Sequence, residues 1–562
     1  MSNDATPTED AAGALDFLLA EAARGPMRRF LPGRAAGRAI VSLAGKPRRV
    51  GRRVGDLAAE LGRVAIGRSA LEPSKRDRRF TDPAWRDNPL LARSVQAYLA
   101  TGQAVEGLLS DAELSWIDRE RLGFALDNLV QAGSPSNNPL LSPVAWKALI
   151  DTGGANVLRG LRHFAGDVAT PPRVPSMVDG NAFEVGGTLA VSPGAVVLRT
   201  PVFELLQYTP TTEKVRGTPV LLVPPTINKY YITDLAPGRS LVEYLVGTGQ
   251  QVFVMSWRNP DVRHRDWGFD AYGEAITQAL AAARAITGAE STHLLAMCSG
   301  GILAAMTSAH LADADRLSTV ASLTLAVSVL DQSQAGTARA LLDRNSAQAA
   351  IAMSKARGYL DGRSLAEIFA WLRPNDLIWN YWVNNYLAGR DPAPFDILFW
   401  NADTTRMTAG LHRDFVTAMQ DNALTKPGGV TMLGSPVDLG AVDVDSYVIA
   451  GIADHLCPWK SCYASARLLG GNTRFVLSTA GHIAAIVNPP TNRKARFQVG
   501  KHTPADPEEW LADAQTIEGS WWPDYSAWLA ERSGPELDAP AELGSARFPA
   551  EDPAPGIYVL DH

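Results

Sequence analysis

Five residues, Ala296-Met297-Cys298-Ser299-Gly300, join a strand-like run (His293-Leu294-Leu295) to a helix-like run (Gly301-Ile302-Leu303-Ala304-Ala305-Met306). A strand that turns sharply into a helix pushes one strained side chain into an open pocket. The flanking residues must be very small, because strand and helix pass close together there. Centred on Cys298, the flanks are Ala296 and Gly300. Centred on Ser299, the first flank is Met297, which is too large. The nucleophile is therefore read as Cys298, with Ser299 just after it. A chain that makes water attack an ester rarely needs a thiol. A transferase that holds an acyl group as a thioester does. An isolated Cys-Ser-Gly would more often be a buried core cysteine, so partners are needed.

In folds with this elbow the acid follows the nucleophile and the histidine comes last. Downstream, the β-rich run Ser446-Tyr447-Val448-Ile449-Ala450 leads to Asp454. A second run, Arg474-Phe475-Val476-Leu477, leads to Gly481-His482. The order is Cys298, Asp454, His482, with both partners just past a strand, where open parallel sheets place their sites. His455 is the rival base but lacks the strand-Gly-His turn, and reads as packing or pocket lining.

The rest of the chain supplies strand candidates at 219–223, 252–256, 292–297, 323–329, 446–450 and 474–477, mostly separated by helix-like segments. That alternation argues for a parallel α/β sheet. Residues 331–445 intervene between nucleophile and acid and are rich in aromatics such as Trp379, Tyr381 and Trp382. They read as a cap over the pocket. Residues 1–175 read as a helical N-terminal domain whose start is partly disordered, with an amphipathic piece at 15–19. Residues 176–562 read as the catalytic domain. A basic cluster (Arg28, Arg29, Arg48, Arg49, Arg52, Arg53, Lys75, Arg76, Arg78, Arg79) reads as a solvated face or flexible arm before a surface that meets anionic material.

A formal net charge of −6 over 562 residues, 46% of them hydrophobic, gives no reason to expect nucleic-acid binding. Three cysteines are too few for a disulfide framework and fit a reducing, cytoplasmic setting. Cys457 and Cys462 form a C-x4-C pair with no second pair nearby, so no metal site is expected. No secretory signal and no run of about 18 apolar residues is visible.

Four further stretches carry a resemblance. They are Val223-Pro224-Pro225-Thr226-Ile227-Asn228-Lys229-Tyr230-Tyr231, Ser256-Trp257-Arg258-Asn259-Pro260, Arg373-Pro374-Asn375-Asp376-Leu377-Ile378-Trp379-Asn380-Tyr381, and Gly481-His482-Ile483 leading into Asn488-Pro489-Pro490. From about Asp77 onward the chain resembles the polyhydroxyalkanoate synthases, of the single-subunit type. Ser299-Gly300-Gly301 and Lys460-Ser461-Cys462-Tyr463-Ala464 look more like their medium-chain-length group. Ala296 stands where the family usually has Gly.

The resemblance implies an α/β-hydrolase fold with a cap, and an acyltransferase that polymerises (R)-3-hydroxyacyl-CoA and releases CoA. CoA enters as part of the substrate, and no cofactor is implied. His482 would be the base for Cys298, and Asp454 would orient His482 or assist the substrate hydroxyl. The backbone N–H of Ser299, with that of Thr226 or Ile227, would form the oxyanion hole, each donor worth about 3–4 kcal/mol. The resemblance further implies a growing polyester, a granule surface and a homodimer as partners. A thioesterase or polyester depolymerase would share the sheet and triad. A non-catalytic granule coat would need no triad. Trp521-Trp522-Pro523 reads as core before granule contact.

Overall fold

The computed structural model describes residues 33–562 apart from 76, 335–343, 373 and 455. Residues 15–19, Arg28, Arg29, Arg76, Arg373 and His455 lie outside the described residues. The chain divides into two compact units. Gly180–Gly362 and Phe395–His562 belong to one, and Arg24–Asp179 with Arg363–Pro394 to the other.

The first unit is built on a ten-stranded sheet. In chain order its strands are β1 (Gly194–Arg199), β2 (Phe203–Tyr208), β3 (Val220–Val223), β4 (Val252–Trp257), β5 (Thr292–Met297), β6 (Val320–Ala326), β7 (Ser446–Gly451), β8 (Thr473–Ser478), β9 (Arg496–Val499) and β10 (Gln515–Glu518). Their spatial order is β1-β2-β4-β3-β5-β6-β7-β8-β9-β10. The run from β4 to β8 is parallel, as the strand–helix alternation predicts. The edges depart from a purely parallel sheet: β1 and β2 on one side, β9 and β10 on the other, pair antiparallel. Strands β3, β4, β5 and β7 are buried along their whole length. That is why they read as continuous apolar runs, since a parallel strand with both faces covered has no polar side.

Crossover helices cover the sheet, including Phe269–Thr287 and Ser299–Asp313. Helix Ser299–Asp313 is buried on nearly every side. Trp521 and Trp522 are also buried, and their indole N–H groups donate to Ala485 O (2.7 Å) and Ile486 O (3.2 Å). They back the short helix His482–Ile486. Their place is the core.

The second unit is helical, with Pro47–Ala65, Pro89–Asp111, Pro143–Asp151 and Ala155–Ala169 among its helices. The 331–445 segment is divided: 363–394 groups with these helices, not with the rest of that segment. Main-chain contact accounts for this. Asn156 Nδ2 donates to Leu387 O and Arg159 Nε to Gly389 O, both at 2.9 Å. A Cβ on Gly160 would stand 2.0 Å from Tyr386 O, so only glycine lets the helix approach this closely. Phe164, Trp382 and Tyr386 then pack edge to face. Within the basic cluster, Arg53 pairs with Asp111 at 2.8 Å and Arg79 with Asp77 at 2.8 Å. Arg48, Arg49 and Arg52 are exposed.

Candidate active site

Strand β5 ends at Met297, and Cys298 begins the helix Ser299–Asp313 with φ 49° and ψ −122°. A non-glycine residue held there costs about 1–3 kcal/mol, and persists only where the surroundings over-determine it. Here they do. Cys298 N donates to Ala326 O at the end of β6 (2.9 Å). A Cβ on Gly300 would meet Pro224 O at 2.3 Å, so the helix start lies directly on the loop after β3. Ser299 Oγ accepts from Thr226 N (3.0 Å) and lies 3.1 Å from Thr226 Oγ1.

Asp454 follows β7, and His482 opens its helix just after β8. Ala453 N donates to Ala480 O (3.1 Å), which ties the two loops together. His482 Nδ1 lies 2.7 Å from Asp454 Oδ2. The other carboxylate oxygen accepts from Leu456 N (2.8 Å) and Cys457 N (2.9 Å). A His482 ring nitrogen lies within 4.8 Å of the Cys298 sulfur. Cys298, Asp454 and His482, distant in sequence, are therefore brought together. They are buried, at 7%, 6% and 7% exposure.

One residue in the pocket escaped the sequence reading as part of the site. Cys298, Cys457 and His482 bring their reactive atoms within 4.8 Å of one another. The neighbouring Cys457 is the largest influence on Cys298 and lowers its pKa. Burial opposes it, His482 and the Ser299 N–H reinforce it, and the thiol falls to about 5. Burial is the largest influence on His482 and lowers it, but Asp454 and Cys298 outweigh this and raise it to about 10. Both shifts favour a thiolate beside an imidazolium. Cys457 is pushed well above an ordinary thiol, first by the neighbouring Cys298 and then by burial, and stays protonated.

The Thr226 N–H is taken by Ser299 Oγ in this structure. Among the described residues, none accepts from the Ile227 N–H. The Ser299 N–H is among the influences that lower the Cys298 thiol. Lys229, at the end of the same loop, is buried and donates to Val559 O (2.5 Å) and Asp561 O (2.6 Å), which anchors the loop to the C-terminal segment.

A buried parallel sheet, a strained cysteine at a strand–helix turn, and an acid and histidine past later strands form the arrangement of an α/β-hydrolase fold. Residues 219–489 match the alpha/beta hydrolase fold family, and 76–245 match the family described as poly-beta-hydroxybutyrate polymerase (PhaC) N-terminus. The chain is 47% identical over 505 residues to poly(3-hydroxyalkanoate) polymerase 2 of Ectopseudomonas oleovorans, covering 90% of each. It is 44% identical over 514 residues to polymerase 1 of that organism, covering 92% of each. Against the poly(3-hydroxyalkanoate) polymerase subunit PhaC of Cupriavidus necator it is 41% identical, covering 90% of this chain and 86% of the other. The chain belongs to the poly(3-hydroxyalkanoate) polymerase family and is an enzyme.

Proposed function

We propose that this polymerase joins (R)-3-hydroxyacyl units from their CoA thioesters into polyester, with Cys298 carrying the acyl group. The observation that carries the reading is the grouping at a strained turn of Asp454 Oδ2, 2.7 Å from His482 Nδ1, with the Cys298 sulfur within 4.8 Å of the His482 ring. The Cys298 thiolate attacks the acyl-CoA carbonyl. Its oxyanion is received by the N–H groups of Ser299 and Ile227. The carbonyl re-forms, the bond to CoA sulfur breaks, and CoA leaves with the His482 proton. His482, now neutral, takes the proton from the 3-hydroxyl of a second unit. That oxygen attacks the Cys298 thioester, the ester bond forms, and the thiolate is released beside a protonated His482. Asp454 stabilises the imidazolium or assists the hydroxyl directly.

CoA thioester and polyester are then the molecules it meets. We extend the proposal to a granule surface in the cytoplasm and to a homodimer. Among the described residues no helix is long and apolar enough to cross a membrane, so contact with a granule would be made by a surface. The exposed apolar side chains Leu140, Ile150, Leu158 and Leu161 of the helical unit support that.

Supplying 3-hydroxyacyl-CoA to the purified chain tests the reading. A polymerase yields free CoA and insoluble polymer. Free CoA with free acid would mean a thioesterase, and no CoA at all would mean a coat protein.

A further inference from the structure

Cys457 has no step in the reaction above, yet it is buried against the sulfur that does the chemistry. Its placement is built in. Asp454 Oδ1 accepts from the N–H groups of both Leu456 and Cys457, so the chain curls back after the acid. The third residue of that curl reaches Cys298. The remaining cysteine, Cys462, instead directs its sulfur to Cys457 O at 3.7 Å. All three are free thiols.

We infer that Cys298 and Cys457 form a modification site at which a hydroperoxide makes a reversible intramolecular disulfide, halting polymer growth. The inference rests on Cys298 being the reactive thiolate of the proposed reaction. In the first step the Cys298 sulfur attacks one peroxide oxygen and the O–O bond breaks. The departing oxygen leaves as water or alcohol with the His482 proton. Cys298 becomes a sulfenic acid, oxidised by two electrons as the peroxide is reduced by two. Cys298 is no longer an anion, so its hold on the Cys457 proton is released. In the second step Cys457 gives its proton to the now neutral His482, and its sulfur attacks the Cys298 sulfur. The S–O bond breaks and hydroxide leaves as water with that proton. The sum is two thiols and one hydroperoxide giving a disulfide, water, and water or alcohol. A neighbouring thiol that closes the disulfide also keeps the sulfenic acid from irreversible oxidation.

The test uses the full reduced chain, treated with hydrogen peroxide and then read by intact mass and peptide mapping. The expected result is a mass lower by two hydrogens, a peptide linking Cys298 to Cys457, and CoA release lost in step with that link. Dithiothreitol should restore CoA release fully. In Cys457→Ala, peroxide should instead add oxygen to Cys298, with little activity recovered by dithiothreitol. A link between Cys457 and Cys462, or oxygen addition to Cys298 in the parent chain with no link, overturns the inference. The parent chain's peptide map decides the matter even if that variant fails to fold. The map also reads the link without polymer synthesis, so a reduced chain that releases no CoA yet forms it would sink the proposed reaction alone.

Discussion

The sheet unit and the helical unit use apolar residues in opposite ways. In the first, strands β3, β4, β5 and β7 hide every side chain, and the buried sheet serves to hold a few polar groups in register. In the second, Pro143–Asp151 and Ala155–Ala169 leave Ile150, Leu158 and Leu161 each more than half exposed. A cavity of about 420 Å³ opens beside Leu161, lined also by Trp146, Phe164 and Trp382. The difference separates two tasks. Rigid burial suits a thiolate that must be held at φ 49°, and an open apolar face suits contact with an insoluble product. Substitutions in the two units should therefore separate chemistry from adsorption.

The largest effect is expected at Cys298. Cys298→Ala should abolish CoA release and covalent acylation while the chain still folds, a loss on the order of a millionfold if scaled from serine triads. Cys298→Ser should be severely impaired, because a hydroxyl is the poorer nucleophile at neutral pH. A Cys298→Ala chain with normal CoA release ends the assignment. His482→Gln should lose both acylation and elongation, by a similar order. His455→Gln should keep a measurable fraction, and the reverse pattern would mean that the base is misassigned.

Asp454→Asn comes next, at roughly 10⁴-fold, and carries a pH signature. The Cys298 thiol is drawn down to about 5, first by Cys457, and Asp454 and Cys298 hold His482 up at about 10 against burial. Alkylation of Cys298 by iodoacetamide should therefore hold a plateau across that window. It should fall as pH drops through about 5, where the thiolate takes up its proton. Asp454 is what raises His482 most. In Asp454→Asn the imidazolium should lose its proton at lower pH, and the alkaline limit of the plateau should move down. If Asp454 acts mainly on the substrate hydroxyl, this variant should release the first CoA and then stall, with short oligomers on Cys298 visible by mass spectrometry. Equal slowing of both steps rules that out.

Sequence alone carried the reading as far as local rules reach. Ala296 and Gly300 betray the elbow because only small residues fit where the Gly300 Cβ position meets Pro224 O. The central strands are legible because burial on both faces removes their polar residues. The antiparallel edges were not, since strands such as Gln515–Glu518 carry exposed, polar side chains and are held mainly by backbone pairing. Thr226 could not be separated from Ile227, because the bond from Thr226 N to Ser299 Oγ joins residues distant in the chain. Cys457 was weighed only with Cys462, its neighbour in sequence. Its real neighbour comes through the curl set by Asp454 Oδ1. The grouping of 363–394 with the helical unit turns on Gly160 meeting Tyr386 O, a contact with no local signature.

A smaller effect is expected at Ser299. Ser299→Ala removes the hydroxyl that accepts from Thr226 N–H but keeps the backbone N–H beside Cys298. One neutral hydrogen bond is worth about 1 kcal/mol, so acylation should slow roughly fivefold. A loss near a thousandfold would mean that this hydroxyl does more than hold the loop.

The smallest effect on chemistry, and the sharpest on adsorption, is expected from Leu158→Glu combined with Leu161→Glu. Both side chains are exposed, at 74% and 60%, so the fold should tolerate the charges. Substitutions at such positions usually stay within about 0.5 kcal/mol of neutral, and CoA release from dissolved substrate should change by no more than about twofold. Contact with polyester is different. Burying one leucine is worth about 1.5–3 kcal/mol, so losing two should weaken adsorption by about 3 kcal/mol or more, roughly two decades in affinity. Sedimentation with purified polyester granules reads this directly: the parent chain should pellet and the variant should stay in the supernatant. Equal pelleting would place the adsorbing surface elsewhere. Equal loss of CoA release and pelleting would show that this face serves the chemistry as well, and would remove the division of labour between the two units.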